Sequence, residues 1–541
     1  MEKKKKRITL EDIYRSSDQM SHVNMNQDVM DLPYPFDNKS KEEQLKPLTD
    51  DARARFESSL DDTINISIPR PASLDEERRR VRKFLEGLEK LFSAEENWTF
   101  LLPLTLSIEH CTRCQTCSDS CHTFEGSGRL EVYRPTYRAE ILRRIYFDYI
   151  KPGGKYTGRW KDGAEIPLKW ITIARLAELA YRCNLCRRCA QTCPIGVDNG
   201  LIAREIRKLF SQELGIAPKE LHENGSMLQL KVGSSTGMNP GVVKDNIEFI
   251  DDDMSEKTGL TIKTPWDVKG ADVLVIHNAG EILAWPENVG AFAAIFQSAG
   301  VSWTMSSDIT AYDSVNYGLW YDDVQFARVA VRQAKAAEKL GVKMIMIGEC
   351  GHAHKALTVT ADRLLTGETN IPRVSAFPIL RDIVMSGKLQ LDPSRNNFPV
   401  TLHDPCNLVR LMGIVMPQRE ILKKIAPKFR EMTPHGVNNY CCGGGSGFAI
   451  QSAHNFKDWR VRVSGRMKLK QILNAFSDSM TPDIKKYVCA PCSNCKGQIR
   501  DIIAYHDLWN SWGITYGGLV ELIVNAMTNV KPNFINWDEI M

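Results

Sequence analysis

The chain lacks a membrane-spanning apolar run, a strong net charge and a recognisable export signal. Its 541 residues contain no uninterrupted apolar run close to the roughly 18–20 residues that span a bilayer. Its net charge of +4 gives no strong overall attraction to nucleic acid or to anionic lipid, so no nucleic-acid partner is expected. No apolar segment follows the basic N-terminus, so we expect no export signal and a reducing cytoplasmic setting.

A flavin or dinucleotide fingerprint is also absent. The glycines of "CCGGGSGF" (441–448) do not form one, because they follow two adjacent cysteines. Cysteine itself is abundant, with 15 residues that are unevenly placed: eight lie between positions 111 and 193, six between 406 and 495, and Cys350 stands alone. In a reducing compartment, clustered cysteines bind metals or carry out redox chemistry more often than they form disulfides.

Two stretches share the spacing C-x2-C-x2-C-x3-C, "CTRCQTCSDSC" from position 111 and "CNLCRRCAQTCP" from position 183. This is the bacterial ferredoxin run, in which three cysteines bind one [4Fe–4S] cube and the fourth binds the neighbouring cluster. Zinc sites do not require this fourfold spacing twice. The spacing therefore predicts two cubane clusters. The first set is Cys111, Cys114, Cys117 and Cys193, and the second is Cys183, Cys186, Cys189 and Cys121.

The periodicity of apolar residues along the chain predicts an α+β protein of several domains. Cysteine-free, charged and proline-containing segments precede a mostly helical region, and short apolar strands then alternate with helices in two similar runs. The predicted domains are an N-terminal docking arm (1–95), a helical two-cluster ferredoxin-like domain (96–225), a linker (226–269) and two tandem α/β repeats (270–395 and 396–541).

The second repeat carries "HDPCNLVR", "CCGGG" and "CAPCSNCKGQI". This pattern resembles the cysteine-rich CCG domain of heterodisulfide reductases, which also occurs in glycolate oxidase iron–sulfur subunits. Ferredoxin runs followed by two CCG repeats resemble single-chain heterodisulfide reductase subunits of the HdrD type. The resemblance is strongest to the DsrK-type subunits of the membrane-bound Dsr complex, and it covers about residues 100–530.

The resemblance implies that five cysteines hold a noncubane [4Fe–4S] cluster, which cleaves a disulfide-like bond. The implied ligands are Cys406, Cys441, Cys442, Cys492 and Cys495. Cys489 also begins a C-x2-C pair, so it is an alternative to Cys495. Lys496 and His403 flank the group. Either residue could stabilise a thiolate product or have a purely structural role.

The first repeat departs from the family pattern, because "IHNAGE" (276–281) and "WTMSSD" (303–308) lack the expected cysteines. Only Cys350 remains, in "GECGHAHK" (348–355), so we expect no cluster there. Cys350, His352 and His354 either touch substrate or are ordinary buried loop residues.

By resemblance, the function is an iron–sulfur thiol–disulfide oxidoreductase that lies peripherally on the inner face of the membrane. The implied partners are a DsrM-like haem-b subunit, which supplies electrons from menaquinol, other Dsr complex subunits and a DsrC-like protein whose trisulfide is reduced. The sequence allows either direction of electron flow. The alternative is an electron-transfer subunit of the glycolate oxidase type without chemistry of its own.

Overall fold

The computed structural model describes residues 68, 69, 71–97, 100–154, 156, 168–360, 371–451 and 459–538. The chain folds into two compact units. The first comprises residues up to Pro218 together with Trp320–Asp322 and Ser446–Met467. The second comprises Lys219–Leu319, Asp323–Gly445 and Lys468 onward. The segment 446–467, predicted to belong to the second α/β repeat, therefore groups with the ferredoxin-like region.

The described part of the first unit is helical. Its longer α-helices are Leu74–Leu91, Leu101–Glu109, Pro135–Ile145, Trp170–Tyr181 and Asn199–Gln212. Short helical turns lie at Thr116–Asp119, His122–Gly126, Glu131–Tyr133, Tyr146–Ile150, Arg188–Gln191 and Arg460–Ser464. The amphipathic spacing of residues 168–183 and 199–215 predicts two helices, and both are present with their apolar faces buried.

The helix Leu74–Leu91 corrects the docking-arm prediction for the end of segment 1–95. Ser73 caps its first turn by accepting a hydrogen bond from the Glu76 amide. Phe84 is fully buried, with its ring centroid 6.2 Å from that of Phe210. Apolar burial therefore fixes this helix within the unit. Residues 1–67, the rest of the proposed arm, lie outside the described residues.

Two parallel four-stranded sheets form the framework of the second unit. The first sheet has the order β2-β1-β3-β4 and the second the order β6-β5-β7-β8. The strands are β1 (Val273–Ile276), β2 (Trp303–Thr304), β3 (Met344–Ile347), β4 (Arg373–Ser375), β5 (Val400–Leu402), β6 (Phe429–Glu431), β7 (Lys486–Cys489) and β8 (Ile514–Gly517).

Helices connect and cover these strands. The longer ones are Pro240–Thr258, Pro286–Ala299, Asp323–Leu340, Ala376–Met385, Pro417–Ile425, Arg466–Ala475, Ser493–Tyr505 and Leu519–Ala526. Shorter helical segments are His222–Met227, Leu228–Val232, Ala279–Ala284, Tyr317–Trp320, Gly351–His354, Lys355–Thr360, Pro393–Asn396, Asn407–Leu411, Gly436–Asn438 and Leu508–Trp512.

In each sheet the chain leaves the first strand toward one edge and returns to pair on that strand's other side. Such a reversal opens a crevice at the carboxyl ends of the two central strands, where α/β proteins build their sites. The crevices lie beyond β1 and β3 in one sheet and beyond β5 and β7 in the other.

The linker predicted for residues 226–269 is wrong, because Pro240–Thr258 is a 19-residue helix. Asn239 caps this helix, and Ile247, Ile250 and Met254 join the buried core of the unit. The Gly- and Ser-rich composition of 223–241 suggested a linker, but the apolar spacing that follows it drives burial instead.

Among the described residues, no helix combines the length and apolar character needed to span a bilayer.

Candidate metal centres

Four cysteines surround a cavity in the first unit. Cys111, Cys114 and Cys117 come from the first ferredoxin run, and Cys193 is the last cysteine of the second run. Burial, followed by the negative charges of the other three thiols, raises the pKa of Cys117 to about 11. This is the grouping predicted for the first cubane.

A second cavity is lined by Cys183, Cys186, Cys189 and by Cys121 from the first run. Burial raises the pKa of Cys121 to about 12, and the Cys186 and Cys183 charges add to this effect. Four neighbouring thiols would not ionise together without a cation, and a bound metal cluster supplies that positive charge.

The loops of both runs share an unusual backbone conformation. Arg113 and Gln115 have φ of 58° and 69°, and Leu185 and Arg187 have φ of 51° and 59°. Non-glycine residues seldom adopt this left-handed region, and such strained residues concentrate at functional sites. The same two positions of each run therefore curl its loop around the cavity. This curl and the four-thiol donor sets fit a cubane cluster.

Arg138 is a buried cation beside the cysteines that the sequence reasoning missed. Its side chain lines the second cavity and is buried. Although burial opposes it, the charges of Cys183, Cys121, Cys189 and Cys117 hold the pKa of Arg138 above its usual value. A fixed cation thus lies near cysteines of both sets. Only its position in the helix Pro135–Ile145, and no motif, could have pointed to it.

A third group of thiols is buried in the second unit. The Sγ atoms of Cys442 and Cys495 are 3.4 Å apart. Hydrogen bonds from Cys441, then Cys495 and then His403, hold the pKa of the Cys442 thiol well below its usual value. Cys492 is the N-cap residue of the helix Ser493–Tyr505, and the neighbouring Cys495 thiol together with the amides of Cys495 and Gly351 lowers its pKa. Four of the five implied ligands are thus brought together.

The glycines after the cysteine pair shape this group. The amide of Gly443 donates to Cys441 Sγ and that of Gly444 to Cys442 Sγ, both at 3.4 Å. Gly443 has a φ of 93°, which favours glycine, and a Cβ on Gly444 would lie 2.6 Å from Gln498 Cβ. These glycines therefore allow both the turn and the close approach to the helix Ser493–Tyr505.

Cys406 and Cys489 occupy different environments. Cys406 follows β5, begins the helical turn Asn407–Leu411 and is partly exposed. Its loop is anchored because both Asp404 carboxylate oxygens accept hydrogen bonds from Arg419 at 2.7 Å. Cys489 is the last residue of β7, is fully buried and packs in the apolar core. The structure therefore brings Cys495, and not Cys489, next to Cys442.

Two further groups face these thiols. One ring nitrogen of the buried His403 lies within 4.8 Å of both Cys442 and Cys495 Sγ. Lys468, which the sequence reasoning missed, is fully buried. Its ammonium donates to Asn439 Oδ1 at 2.9 Å and to Gln471 Oε1 at 2.5 Å. Burial lowers the pKa of Lys468 to about 7, although the Cys442 charge opposes the shift.

Lys496, the tentative flanking cation, has carboxylates as its nearest charged neighbours. Its fully buried ammonium lies 3.9 Å from Glu281 Oε1 and 3.9 Å from Glu349 Oε2. It also lies 5.4 Å from the centroid of the Trp285 ring. Two carboxylates thus lie beside Lys496, whereas the charge of Lys468 interacts with that of Cys442.

The two histidines of the first α/β region are buried and hydrogen-bonded. His354 bonds to the Cys350 carbonyl at 2.7 Å and to Ser375 Oγ at 2.8 Å, and it stacks on Phe377. His352 accepts from the Asn316 amide at 3.2 Å. Burial lowers their pKa values to about 4 and about 3. Their burial and hydrogen bonds favour the alternative of buried loop residues over contact with substrate.

Comparison with known proteins adds two domain matches. Residues 107–197 match the 4Fe–4S dicluster domain family. Residues 400–500 match the cysteine-rich domain family known as CCG. The first match contains both ferredoxin runs, and the second contains the third group of thiols.

Relatives of similar length have matching descriptions. The chain is 27% identical over 492 residues to the "Hdr-like menaquinol oxidoreductase iron-sulfur subunit 2" of Archaeoglobus fulgidus, covering 82% of this chain and 83% of that protein. It is 24% identical to one subunit of the "Dihydromethanophenazine:CoB--CoM heterodisulfide reductase" of Methanosarcina acetivorans, covering 73% and 89%. It is 22% identical to one subunit of the "Fumarate reductase (CoM/CoB)" of Methanothermobacter marburgensis, covering 63% and 60%.

The domain matches, the relatives and the cysteine cavities agree with one another. They indicate [4Fe–4S] clusters carried by a mixed helix-and-sheet protein, in which a dicluster domain precedes a CCG domain. The chain is similar to iron–sulfur subunits of heterodisulfide reductase-like oxidoreductases, and this similarity supports an oxidoreductase.

Proposed function

We propose that the chain passes electrons from a quinol-linked membrane partner to a disulfide or trisulfide. Two cubane clusters, held by the two crossed cysteine sets, receive the electrons. A noncubane [4Fe–4S] cluster, held by Cys406, Cys441, Cys442, Cys492 and Cys495, supplies the site where the sulfur–sulfur bond is cleaved.

The observation that carries this proposal is the buried thiol group of the second unit. Cys442 and Cys495 Sγ lie 3.4 Å apart, without a disulfide and beside the buried ring of His403. Buried thiols that hydrogen-bond to one another and receive backbone amides are suited to act as thiolate ligands. The donor set of adjacent cysteines, an N-cap cysteine and a cysteine in the first helical turn fits an irregular cluster.

The protein's own groups stabilise negative sulfur at this site. The ammonium of Lys468 and the amides of Gly443 and Gly444 compensate the charge of the Cys441 and Cys442 sulfurs. Such fixed donors act strongly where water is excluded. They would equally favour the thiolate that is released when a substrate disulfide accepts two electrons.

The partners follow from the relatives. The Archaeoglobus protein is named a menaquinol oxidoreductase subunit, so we infer a membrane subunit that oxidises a quinol, such as a DsrM-like haem-b protein. The chain would then lie peripherally on the inner face of the membrane. A DsrC-like trisulfide is one candidate substrate, and the opposite direction, thiol oxidation, uses the same groups.

The direct test is the iron content of protein purified without oxygen, combined with EPR of its oxidised form with and without added thiol. Three four-iron clusters give about 12 iron atoms, and two cubanes give about 8. We expect the higher content and an EPR signal of the oxidised protein that changes with thiol. About 8 iron atoms without such a signal would contradict the proposal.

The fumarate reductase relative supports a second candidate function. Its name describes a subunit of an enzyme whose overall reaction also involves fumarate. The chain could accordingly transfer electrons within a larger complex, as in glycolate oxidase iron–sulfur subunits. In that case the purified chain would reduce no disulfide, although its cubanes would still accept electrons.

A further inference from the structure

A buried histidine ring lies against the thiols of the second sheet. One ring nitrogen of His403 lies within 4.8 Å of Cys442 Sγ and of Cys495 Sγ, and the two sulfurs are 3.4 Å apart. All three side chains are buried. Thiolate and imidazole ligands bind a tetrahedral metal ion at about 2.3 Å and about 2.0–2.1 Å. Two sulfurs and one nitrogen at these separations are therefore compatible with binding of one ion.

Strand pairing fixes the position of this ring. His403 directly follows β5, and its amide donates to the Cys489 carbonyl at 2.8 Å, which continues the pairing of β5 with β7 by one residue. Successive side chains of a strand alternate between its two faces. Val400 and Leu402 join the buried core, so His403 projects from the opposite face, toward the thiols. The sheet, and not the cysteines, therefore sets where the imidazole lies.

The charged groups nearest to the ring already have other partners. Both Asp404 carboxylate oxygens accept hydrogen bonds from Arg419 at 2.7 Å. The ammonium of Lys468 donates to the side-chain oxygens of two other residues. Apart from the Cys442 thiol, neither ring nitrogen of His403 has a hydrogen-bond partner within the described residues. Because a buried polar atom without a partner is costly, a metal ion would satisfy this nitrogen.

An imidazole ligand differs from a thiolate in its charge as well as in its donor atom. A neutral ring binds iron without adding a negative charge. In Rieske centres, two histidines replace two cysteines on one iron, and the reduction potential is higher than in clusters with cysteine ligands alone. A histidine among the ligands of the thiol group would shift its potential in the same direction.

We propose that His403 is a nitrogen ligand of the iron that Cys442 and Cys495 also bind. This inference rests on the proposed function, because it adds a ligand to the noncubane cluster proposed there. A neutral ligand leaves the site less negative, so the site accepts electrons from the cubanes more readily. The histidine of "HDPC" thereby gains a role in setting the potential of the sulfur site.

The first sheet offers a matched position for a control. His277 follows β1 as His403 follows β5, and it is also buried. Its ring packs against Phe292, with the ring centroids 5.5 Å apart. Within the described part of the chain, no group of potential metal-ligand atoms includes His277. His277→Gln therefore changes a buried histidine at the corresponding place in the fold without removing a candidate ligand.

The test uses the full chain, produced with ¹⁵N-labelled histidine and purified without oxygen. Hyperfine sublevel correlation (HYSCORE) spectroscopy of the thiol-responsive EPR signal detects nitrogen bound to the paramagnetic site, and the coupling changes with the isotope. We expect a coupling from directly bound histidine in the wild type and in His277→Gln, and its loss in His403→Gln. The signals of the cubanes after dithionite reduction report that each variant is folded.

A second variant, His403→Cys, tests the charge of the ligand. A thiolate in place of the neutral nitrogen should keep the iron content at about 12 atoms and lower the midpoint potential of the thiol-responsive signal. A redox titration followed by EPR measures this potential. An unchanged potential in His403→Cys would contradict the proposed ligand.

The outcomes separate this ligand from the proposed function. A wild-type chain with about 12 iron atoms and a thiol-responsive signal, but without nitrogen coupling, would overturn the ligand and leave the proposed function intact. A coupling that persists in His403→Gln would do the same. About 8 iron atoms without a thiol response would overturn the proposed function and the histidine ligand together.

Discussion

The two sheets of the second unit share one topology and differ in what their central strands present. Both are parallel and four-stranded, and in both a buried histidine follows the first central strand: His277 after β1 and His403 after β5. The first crevice then continues with Asn278 and Glu281, and the second with Asp404 and Cys406. The parallel strands tolerate either group of residues at their carboxyl ends, because neither group takes part in strand pairing.

This difference shows where the fold is encoded and where the chemistry is encoded. Apolar strands such as "VLVI" pair and bury themselves whatever their loops contain. The loops at the carboxyl ends are free to carry cysteines or acids. The same strand framework thus carries cysteines at the crevice of the second sheet and acidic residues at the crevice of the first. Substitutions in these loops can make the two crevices more alike or more distinct.

The largest expected effect comes from Cys442→Ser, which would leave the second sheet without its thiol pair. We expect iron to fall from about 12 to about 8 atoms and disulfide reduction to be abolished. Cys489→Ser is the control, because Cys489 packs in the apolar core and not beside Cys442. If the Cys489 variant lost four iron atoms and the Cys442 variant lost none, Cys489 would be a cluster ligand and Cys442 would not.

Removing the cation beside the thiols should have the next largest effect. Lys468→Met deletes a buried positive charge that stabilises the reduced state of the neighbouring site. The midpoint potential of the thiol-responsive signal should therefore fall. A change of about 1.4 kcal/mol in that interaction lowers the equilibrium for reduction about tenfold. Lys423→Met, at an exposed position of the helix Pro417–Ile425, should leave the potential unchanged. A redox titration followed by EPR measures both variants.

A smaller effect is expected from Gly351→Ala, which tests whether the first sheet shapes the second site. The new Cβ would lie 3.2 Å from Cys492 Sγ and 3.3 Å from Pro405 Cβ. Overpacking of this kind typically costs about 1–3 kcal/mol, so the thiol-responsive signal should change shape while the two cubane signals persist. Gly241→Ala, on an exposed helical turn, is the control. Identical spectra for the two variants would mean that Cys492 is positioned by its own domain alone.

The smallest effect concerns stability. Lys486 begins β7 and is buried, with its ammonium donating to the carbonyls of Thr481, Ile484 and Trp512. Lys343, just before β3, is exposed and pairs with Asp272. Burial lowers the pKa of Lys486 to about 8, so the unfolded chain binds more protons between about pH 8 and pH 10.5.

The stability contributed by this site therefore rises with pH across that window and is lowest below it, where Lys486 is charged in both states. Melting temperatures measured from pH 7 to pH 10.5 should lose part of their pH dependence in Lys486→Met. Lys343→Met should keep the wild-type slope. If the two variants have the same slope, burial of Lys486 does not affect its ionisation.

Much of the framework could be predicted from periodicity. The short apolar runs at 271–278 and 342–348 predict strands, and these are present as Val273–Ile276 and Met344–Ile347. The helix Pro240–Thr258 was missed because a Gly- and Ser-rich stretch precedes it. Apolar spacing from Arg78 to Phe92 predicts a helix, which is present as Leu74–Leu91, but its packing depends on distant residues such as Phe210.

The sequence by itself determined the cysteine spacing, the strand and helix periodicity and the cysteine-poor character of the first α/β domain. Local spacing is sufficient for these features, because cluster ligands and apolar faces repeat along the chain at fixed intervals. Only the tertiary structure decided that the charge of Lys468 interacts with Cys442, that Lys496 lies beside two carboxylates and that Cys489 is a core residue. It alone also placed His403 near Cys442 and Cys495. These relations join residues far apart in sequence, and burial together with the crevice geometry of parallel strands sets them.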